Sequence, residues 1–456
     1  MSAPRTKDLV RAVAGHGWPV LVAQLATMST TVVDTVVAGR SGTLDLAAVG
    51  IGAGIYVSVM LAFAGIVQGL TPIAAQHFGA RRFDQLASSF QQALWLALLL
   101  AGVGMALLWW PDWILRLSSM SAEVELRTRA YLDVLAFALP GTLVYRACGG
   151  MLNAIGRPRM LMFFGLANAS VHILLAPALA FGWLGHAPRG AQGCAASAAF
   201  IISVLAVCSL VYLHRSTHSR QLALLRHWQA PQLRRMGELL RVGLPIGMSA
   251  FVEMTSFALI ALLVAPLGAE AAGAHRVVGS FAGICYMLPL SVSIATLALV
   301  GQAAGAQDWA RVRKTARAGI LIGVVASSLL GLALWLSGEA LVRAYTPDPQ
   351  VQSLAIALVW LIAFYQLFDA VQTVAAQALR GLKITAVPML VHVFCFWVIG
   401  LAGGWWLCFH GLAAVGVTPL GLGGFWWAAT LSTIVASVAF FGLLRHHLRR
   451  LGHEAT

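Results

Sequence analysis

Residues 240–266 read LRVGLPIGMSAFVEMTSFALIALLVAP. Beyond Arg241 the stretch carries a single charge, Glu253, in an otherwise apolar or small-residue run. Its length suits an α-helix crossing a bilayer, which needs about 20 such residues. Runs of the same kind, separated by short polar turns, fall at 16–39, 46–75, 91–110, 130–153, 160–184, 194–214, 271–300, 316–337, 352–378, 386–409 and 422–445. Together they predict twelve membrane helices, numbered 1–12 in chain order. Several contain Gly or Pro, which membrane helices tolerate. The whole chain is 59% hydrophobic and 10% charged, against about 25% charged for soluble domains. A chain this apolar cannot cover itself with polar surface, so lipid has to cover it.

The distribution of Lys and Arg orients these helices. One set of helix ends holds Arg5, Lys7 and Arg11; Arg81 and Arg82; Arg157 and Arg159; Arg215, Arg220, Arg226, Arg234, Arg235 and Arg241; Arg311, Arg313, Lys314 and Arg317; Arg380 and Lys383; and Arg445, Arg449 and Arg450. The opposite ends hold Arg40, Arg116, Arg127, Arg129, Arg189, Arg276 and Arg343. The positive-inside rule places both termini in the cytoplasm of a bacterial inner membrane. It also explains the net charge of +14 without nucleic acid. No cleavable signal peptide is expected, because the first residues are polar. The six cysteines, Cys148, Cys194, Cys208, Cys285, Cys395 and Cys408, lie in or beside apolar runs without C-x-x-C spacing, and read as small apolar fillers.

The halves echo each other. Gly17-Trp18-Pro19 stands at the start of helix 1 and Gly243-Leu244-Pro245 at the start of helix 7. Gln76-His77-Phe78-Gly79-Ala80 ends helix 2 and Gln302-Ala303-Ala304-Gly305-Ala306 ends helix 8. Gly42 and Gly268 keep the same offset of 226 residues. The expected architecture is an all-α integral membrane protein with twelve transmembrane helices in two six-helix lobes, related by a pseudo-two-fold axis along the membrane normal. The lobes are expected at 1–214 and 240–456, joined by a basic cytoplasmic linker at 215–239. In transporters built from such repeats the substrate site lies between the halves.

Most acidic residues sit in loops or at helix ends, and three lie deeper within apolar runs: Asp34 in helix 1 (TTVVDTVVAG), Glu253 in helix 7 (SAFVEMTSFA) and Asp369 in helix 10 (AFYQLFDAVQ). A carboxylate costs about 2.5–3.5 kcal/mol at a helix centre on insertion scales, so it faces a cavity, an ion or a partner. Glu253 and Asp369 sit near the middle of their runs and can share one depth. Two close carboxylates cannot both ionise cheaply; such a pair holds a proton, or a monovalent cation between hard oxygens. Tyr365, one turn before Asp369, could complete the shell or serve as a packing aromatic. Gln24, Thr27 and Thr31 form a polar stripe leading to Asp34. Asn168 and His172, at i and i+4 in helix 5 (GLANASVHILL), share a face that could join Asp34 or bond between helices, and histidine is a side chain that can gain or lose a proton near neutral pH. Arg146 in helix 4 either snorkels to the cytoplasm or pairs with a carboxylate. Met28, Met60, Met248, Met254 and Met287, with Phe251, Phe257, Phe281 and Tyr286, offer a soft aromatic wall for flat hydrophobic cations, or ordinary packing. Trp405, Trp406, Trp426 and Trp427 read as interfacial anchors.

These segments resemble the multidrug and toxic-compound extrusion (MATE) family over about 15–445. The resemblance is carried by VVDTVVAGRSGTLDLAAVGIG, GLTPIAAQHFGARR and LNAIGRPRM in the first half, and by VGLPIGMSAFVEMTSFA, VGQAAGAQDWARVRK and AFYQLFDAVQTVAAQALRGLK in the second. Glu253 with Asp369 is similar to the NorM-type branch. The resemblance implies two six-helix lobes flanking a central cleft, and export of small-molecule organic cations by a monomer, driven by inward Na⁺ or H⁺ with no cofactor. It assigns cation ligation, including Na⁺ if that is the ion, to Glu253, Asp369 and Tyr365, and the family's helix 1 aspartate to Asp34. The family often has a second Asn where this chain has His172, a departure pointing towards protons. Two alternatives stand beside this reading. One is an exporter or flippase of an endogenous lipid-linked or metabolite substrate on the same scaffold. The other is a membrane enzyme, for which no H-E-x-x-H or G-x-S-x-G motif is present.

Overall fold

A computed structural model describes residues 6–115, 120–183, 185, 187–216, 222–226, 228–411, 416 and 418–453. Arg5, Arg116 and Arg220 of the charge count lie outside the described residues. The helices are α1 (Thr6–Ser41), α2 (Thr43–Gly79, broken at Gly69), α3 (Phe83–Trp109), α4 (Ala122–Ala136 with Ala138–Ala154), α5 (Pro158–Phe181), α6 (Ala191–Arg215), α7 (Leu233–Val264), α8 (Ala269–Gly305), α9 (Trp309–Tyr345), α10 (Pro349–Gly381), α11 (Ala386–Phe409) and α12 (Leu422–His453). Among the described residues eleven helices are long and apolar enough to cross a membrane, and α4, bent by 44°, makes twelve if counted as one span. Each apolar run of the sequence therefore falls on one of these helices, those at 91–110, 160–184 and 240–266 running a few residues past the helix end, because a chain in lipid satisfies its backbone within each segment.

The helices outrun the apolar stretches. α1 begins at Thr6 and α9 at Trp309, ahead of the runs at 16 and 316. The extra turns carry Lys7, Arg11, Arg311 and Arg313: backbone bonding continues into water, where apolarity no longer marks the helix. Caps set some of the starts. The Asp308 carboxylate accepts the Arg311 N–H at 2.9 Å, and Asp348 accepts that of Gln350 at 2.8 Å beside Pro349 at the first helical position. The repeated Gly42 and Gly268 have φ of 142° and 108°, a backbone region that only glycine enters without strain. That is the physical reason the landmark recurs.

The chain divides into two compact units, Val22–Gly247 and Met1–Leu21 with Met248–Thr456. In the first, Met236 and Leu239 of α7 pack in one core with Leu70, Ile73 and Phe90. In the second, Val13 of α1 packs with Val292, Ala295 and Val374. Each half's opening helix thus begins in one unit and ends in the other. The changeover falls two residues beyond Pro19 and Pro245, both within their helices.

Described residues of the stretch between the halves are held against α3. Gln91 and Gln92 of α3, both buried, each make two backbone bonds to that stretch. Gln91 donates to Leu224 O at 2.9 Å and accepts from Gln229 N at 2.8 Å; Gln92 donates to Ala230 O at 2.9 Å and accepts from Gln232 N at 2.7 Å. Trp95 adds a bond to Gln229 O and a ring contact with Trp228.

Two features depart from expectation. Trp405, Trp406 and Trp427 are exposed, but Trp426 is only 2% exposed and packs against Tyr365 and His275. Adjacent helical positions point about 100° apart, so Trp427 faces out and Trp426 in. Three arginines of the sparser set are also ion-paired: Arg127 with Asp45 at 3.0 Å, Arg129 with Asp112 at 2.7 Å, and Arg343 with Glu339.

Small residues allow close helix contact in the first unit. A Cβ placed on Gly69 would stand 2.7 Å from Gly243 Cα and 3.0 Å from Leu239 O, so α2 and α7 touch backbone to backbone. Gly69→Leu is expected to lower the yield of monodisperse detergent-solubilised protein and its melting temperature, overpacking of this kind costing about 1–3 kcal/mol or more. Gly102→Leu, with nothing within 4 Å of its Cβ position, serves as the tolerated control; equal behaviour of the two would remove the close contact as a determinant.

Candidate functional site

In the first unit the buried polar centre is built by three helices. Asp34 of α1 lies 2.8 Å, Oδ1 to Nε2, from His172 of α5. His172, 2% exposed, is held on its other nitrogen by Ser197 Oγ of α6 at 3.0 Å. With the imidazole neutral, Nε2–H donates to the carboxylate and the serine hydroxyl donates to Nδ1. The buried Tyr131 of α4 and Cys194 of α6 lie within electrostatic reach of Asp34. The helix 5 pairing is thus decided in favour of His172. Asn168, one turn earlier and half-buried, makes no hydrogen bond to Asp34 among the described residues. Gln24 is half-buried, while Thr27 and Thr31 are exposed. Thr27 spends its hydroxyl on Ala23 O of its own helix.

In the second unit Asp369 of α10 is 1% exposed. Its Oδ1 accepts from Gln372 Nε2 at 2.9 Å, while Oδ2 has no hydrogen-bond partner among the described residues. Tyr365, buried one turn earlier, brings its hydroxyl near that carboxylate. Glu253 of α7 is half-buried, interacts electrostatically with Asp369, and faces the Tyr286 hydroxyl of α8, which faces Thr373 of α10. Glu253, Asp369 and Tyr365, with Tyr286, therefore gather around one locus supplied by α7, α8 and α10 of a single unit. Arg380, assigned from the sequence to a helix end, is half-buried and within electrostatic reach of Glu253 and Tyr286.

Several members of this locus were not singled out by the sequence reading as site residues. Gln372 carried a signal, being three residues from Asp369 and on its face. His392, whose Nε2 lies 3.2 Å from Gln372 Oε1, and Ser197 of the Asp34 centre carried none beyond being polar in apolar runs, and only packing gives them a partner. Arg146 makes no ion pair among the described residues and lies within reach of the Tyr56 and Tyr145 hydroxyls. The soft wall separates into two groups. Phe281 is core, packed edge-on against Tyr345; Met28 and Phe257 are half-buried, and Met248, Phe251 and Met254 are exposed, Met254 by 48%.

Among the described residues no three His, Cys, Asp or Glu side chains converge as a metal cluster would need. Two carboxylates, phenols and a threonine are instead hard oxygen donors, suited to a proton or an alkali cation rather than a thiophilic metal.

The MatE family profile matches residues 19–178 and 245–406, once in each half and starting at the two landmark prolines. The chain is 48% identical over 435 residues to a probable multidrug resistance protein NorM of Aromatoleum aromaticum, covering 95% of this chain and 94% of that one. It is 37% identical to a probable multidrug resistance protein NorM of Chromobacterium violaceum, covering 97% and 94%. The fold matches a crystal structure of MATE in the bent conformation, with a TM-score of 0.88, 17% identity and full coverage of both chains. It also matches an outward-facing multidrug resistance MATE transporter of the MOP superfamily, with a TM-score of 0.87, 17% identity and 99% coverage of each. The chain belongs to the MATE family of multi-pass membrane multidrug efflux transporters, and is not an enzyme.

Proposed function

We propose that this chain is a secondary active antiporter of the bacterial inner membrane, with both termini cytoplasmic, that works as a monomer and exports hydrophobic organic cations in exchange for Na⁺ or H⁺. The observation that carries this reading is the Asp369 carboxylate, buried with Oδ2 unbonded beside Tyr365 and Glu253. An unpaired carboxylate oxygen at such depth is costly, and a proton or small cation offsets that cost. Glu253 and Asp369 are the coupling ligands, Tyr365 and Tyr286 the flanking hydroxyls.

The cycle follows from charge. With the site open outward, an ion neutralises the carboxylates, which lowers the cost of closing the outer side and releases a bound cationic drug. Once the site opens inward the ion leaves, and the exposed negative charge receives the next drug. Each charge crossing 100 mV contributes about 2.3 kcal/mol, so one coupled ion supplies useful drive. Asp34 with His172 is a second place for a proton, in the first unit, where an imidazole clamped between a carboxylate and Ser197 holds charge with little rearrangement. Met28, Met254 and Phe257 give apolar contact to flat cations. The NorM names of the relatives and the arginine distribution support drug export and the orientation.

The second reading is export or flipping of an endogenous lipid-linked substrate. A fold neighbour from Pyrococcus furiosus is described as having a binding pocket of reverse polarity and a different function, so the scaffold is not tied to cations. The acidic locus here favours cations.

Efflux of a fluorescent organic cation from proteoliposomes, with Na⁺ and pH gradients imposed separately, tests both carboxylate centres. Asp369→Asn is expected to abolish ion-driven efflux while the protein still inserts and elutes as wild type; wild-type rates from that variant would remove Asp369 from the mechanism. His172→Asn is expected to slow proton-driven efflux severalfold and to spare any Na⁺-driven component. Equal slowing under both gradients would make His172 structural.

A further inference from the structure

α11 carries no carboxylate, yet hydrogen bonds tie it to both helices that do. His392, buried near its start, lies 3.2 Å from Gln372 Oε1, and Nε2–H donates. Gln372 passes the bond on: its Nε2 donates to Asp369 Oδ1 at 2.9 Å and to Thr373 Oγ1 at 3.2 Å. The amide has one acceptor and two donors, so the imidazole on its oxygen fixes which way it faces. With the amide fixed, Asp369 Oδ1 is occupied and Oδ2 left open. The imidazole is itself clamped, its ring centroid 4.9 Å from that of Phe440 and 5.6 Å from that of Phe396.

The second tie is one turn further on. Ser256 of α7, three residues after Glu253 and thus near its face, donates to the Phe396 carbonyl at 3.0 Å. Trp397 Nε1 donates to Thr255 Oγ1 of the same helix at 3.3 Å. His392 immediately precedes a π-helical segment, Val393–Ala402, and Phe396 lies inside it. In a π turn the bonds run i→i+5 and the turn widens, and such segments recur at functional sites. The buried Phe396 carbonyl faces α7 and takes the serine hydroxyl, while the imidazole one turn before faces α10.

We propose that α11 is the brace of the coupling site, with His392, Gln372 and Ser256 as positioning residues that set the orientation of Asp369 and the spacing of Glu253 from it. The inference rests on the assignment of ion coupling to Glu253 and Asp369. None of the three residues touches the ion; they determine how tightly it is held. Outer partners of metal ligands typically change ion affinity by about 10–100-fold when removed.

The test is the concentration of driving ion that gives half-maximal efflux, measured in proteoliposomes for wild type, His392→Phe, Gln372→Leu and the double variant. His392→Phe keeps the ring volume between Phe396 and Phe440 and removes the donor. Each single variant is expected to raise the half-maximal ion concentration about tenfold with the maximal rate little changed. The double variant should be no worse than the poorer single one, because both break one chain. His392→Gln, which restores a donor, should recover much of the affinity. Should His392→Phe fail to fold, Gln372→Leu and Ser256→Ala report the same links. Unchanged ion dependence in folded Gln372→Leu, or additive losses in the double variant, would overturn the brace. Asp369→Asn, run alongside, separates the two claims. If it too leaves ion dependence intact, the coupling assignment has failed; if it alone abolishes coupling, only the brace has.

Discussion

In hydrocarbon a polar group without a partner is penalised by several kcal/mol, and almost everything about this molecule follows from that constraint. It forces the backbone into helices, since each helix pairs its own N–H and C=O groups. It pushes the arginines to helix ends, and pairs several of those on the sparser side with Asp45, Asp112 and Glu339. It requires any carboxylate left inside an apolar run to have a reason, and here the reasons differ. Asp34 is satisfied within the protein, by His172. Asp369 is satisfied on one oxygen and open on the other.

That contrast distinguishes the two polar centres. A carboxylate paired with an imidazole exchanges a proton with a neighbour already in place, and the pair stays compact in either state. The Asp369 oxygen without a full hydrogen bond lies instead among phenols, a threonine and a second carboxylate, all hard oxygen donors. Arg380, within reach of Glu253, adds a positive charge of the protein's own to the second locus, so the field there is a balance rather than a plain acidic pit.

The exchange of helix ends between the units has a mechanical side. α1 and α7 each change company just past a proline, where the missing N–H breaks the ladder and permits a bend. Backbone-to-backbone contact at Gly69 and Gly243 keeps the first part of α7 rigidly with the first unit, while Glu253 rides on the part that belongs to the second. Leu224 and Ala230, in the stretch between the halves, are held by Gln91 and Gln92 of α3.

The helix count, the repeat, the three intramembrane carboxylates and the family were legible in the chain itself, because lipid imposes a one-dimensional rule: apolar length means span, and charge means end. The same rule read Trp426 as an anchor, since it registers hydrophobicity but not which side of a helix faces inward. The choice of His172 over Asn168 for Asp34, the Gln372–His392 chain, the half-buried placing of Arg380 and the π segment of α11 were not legible. Each depends on which helix lies beside which, and on rotations about helix axes that no local pattern encodes. Residues close in sequence share a face by geometry alone, as Tyr365, Asp369 and Gln372 do. Residues 20 or 138 positions apart, such as Gln372 with His392 or Asp34 with His172, meet only because the packed tertiary structure minimises unpaired polar groups over the whole bundle at once.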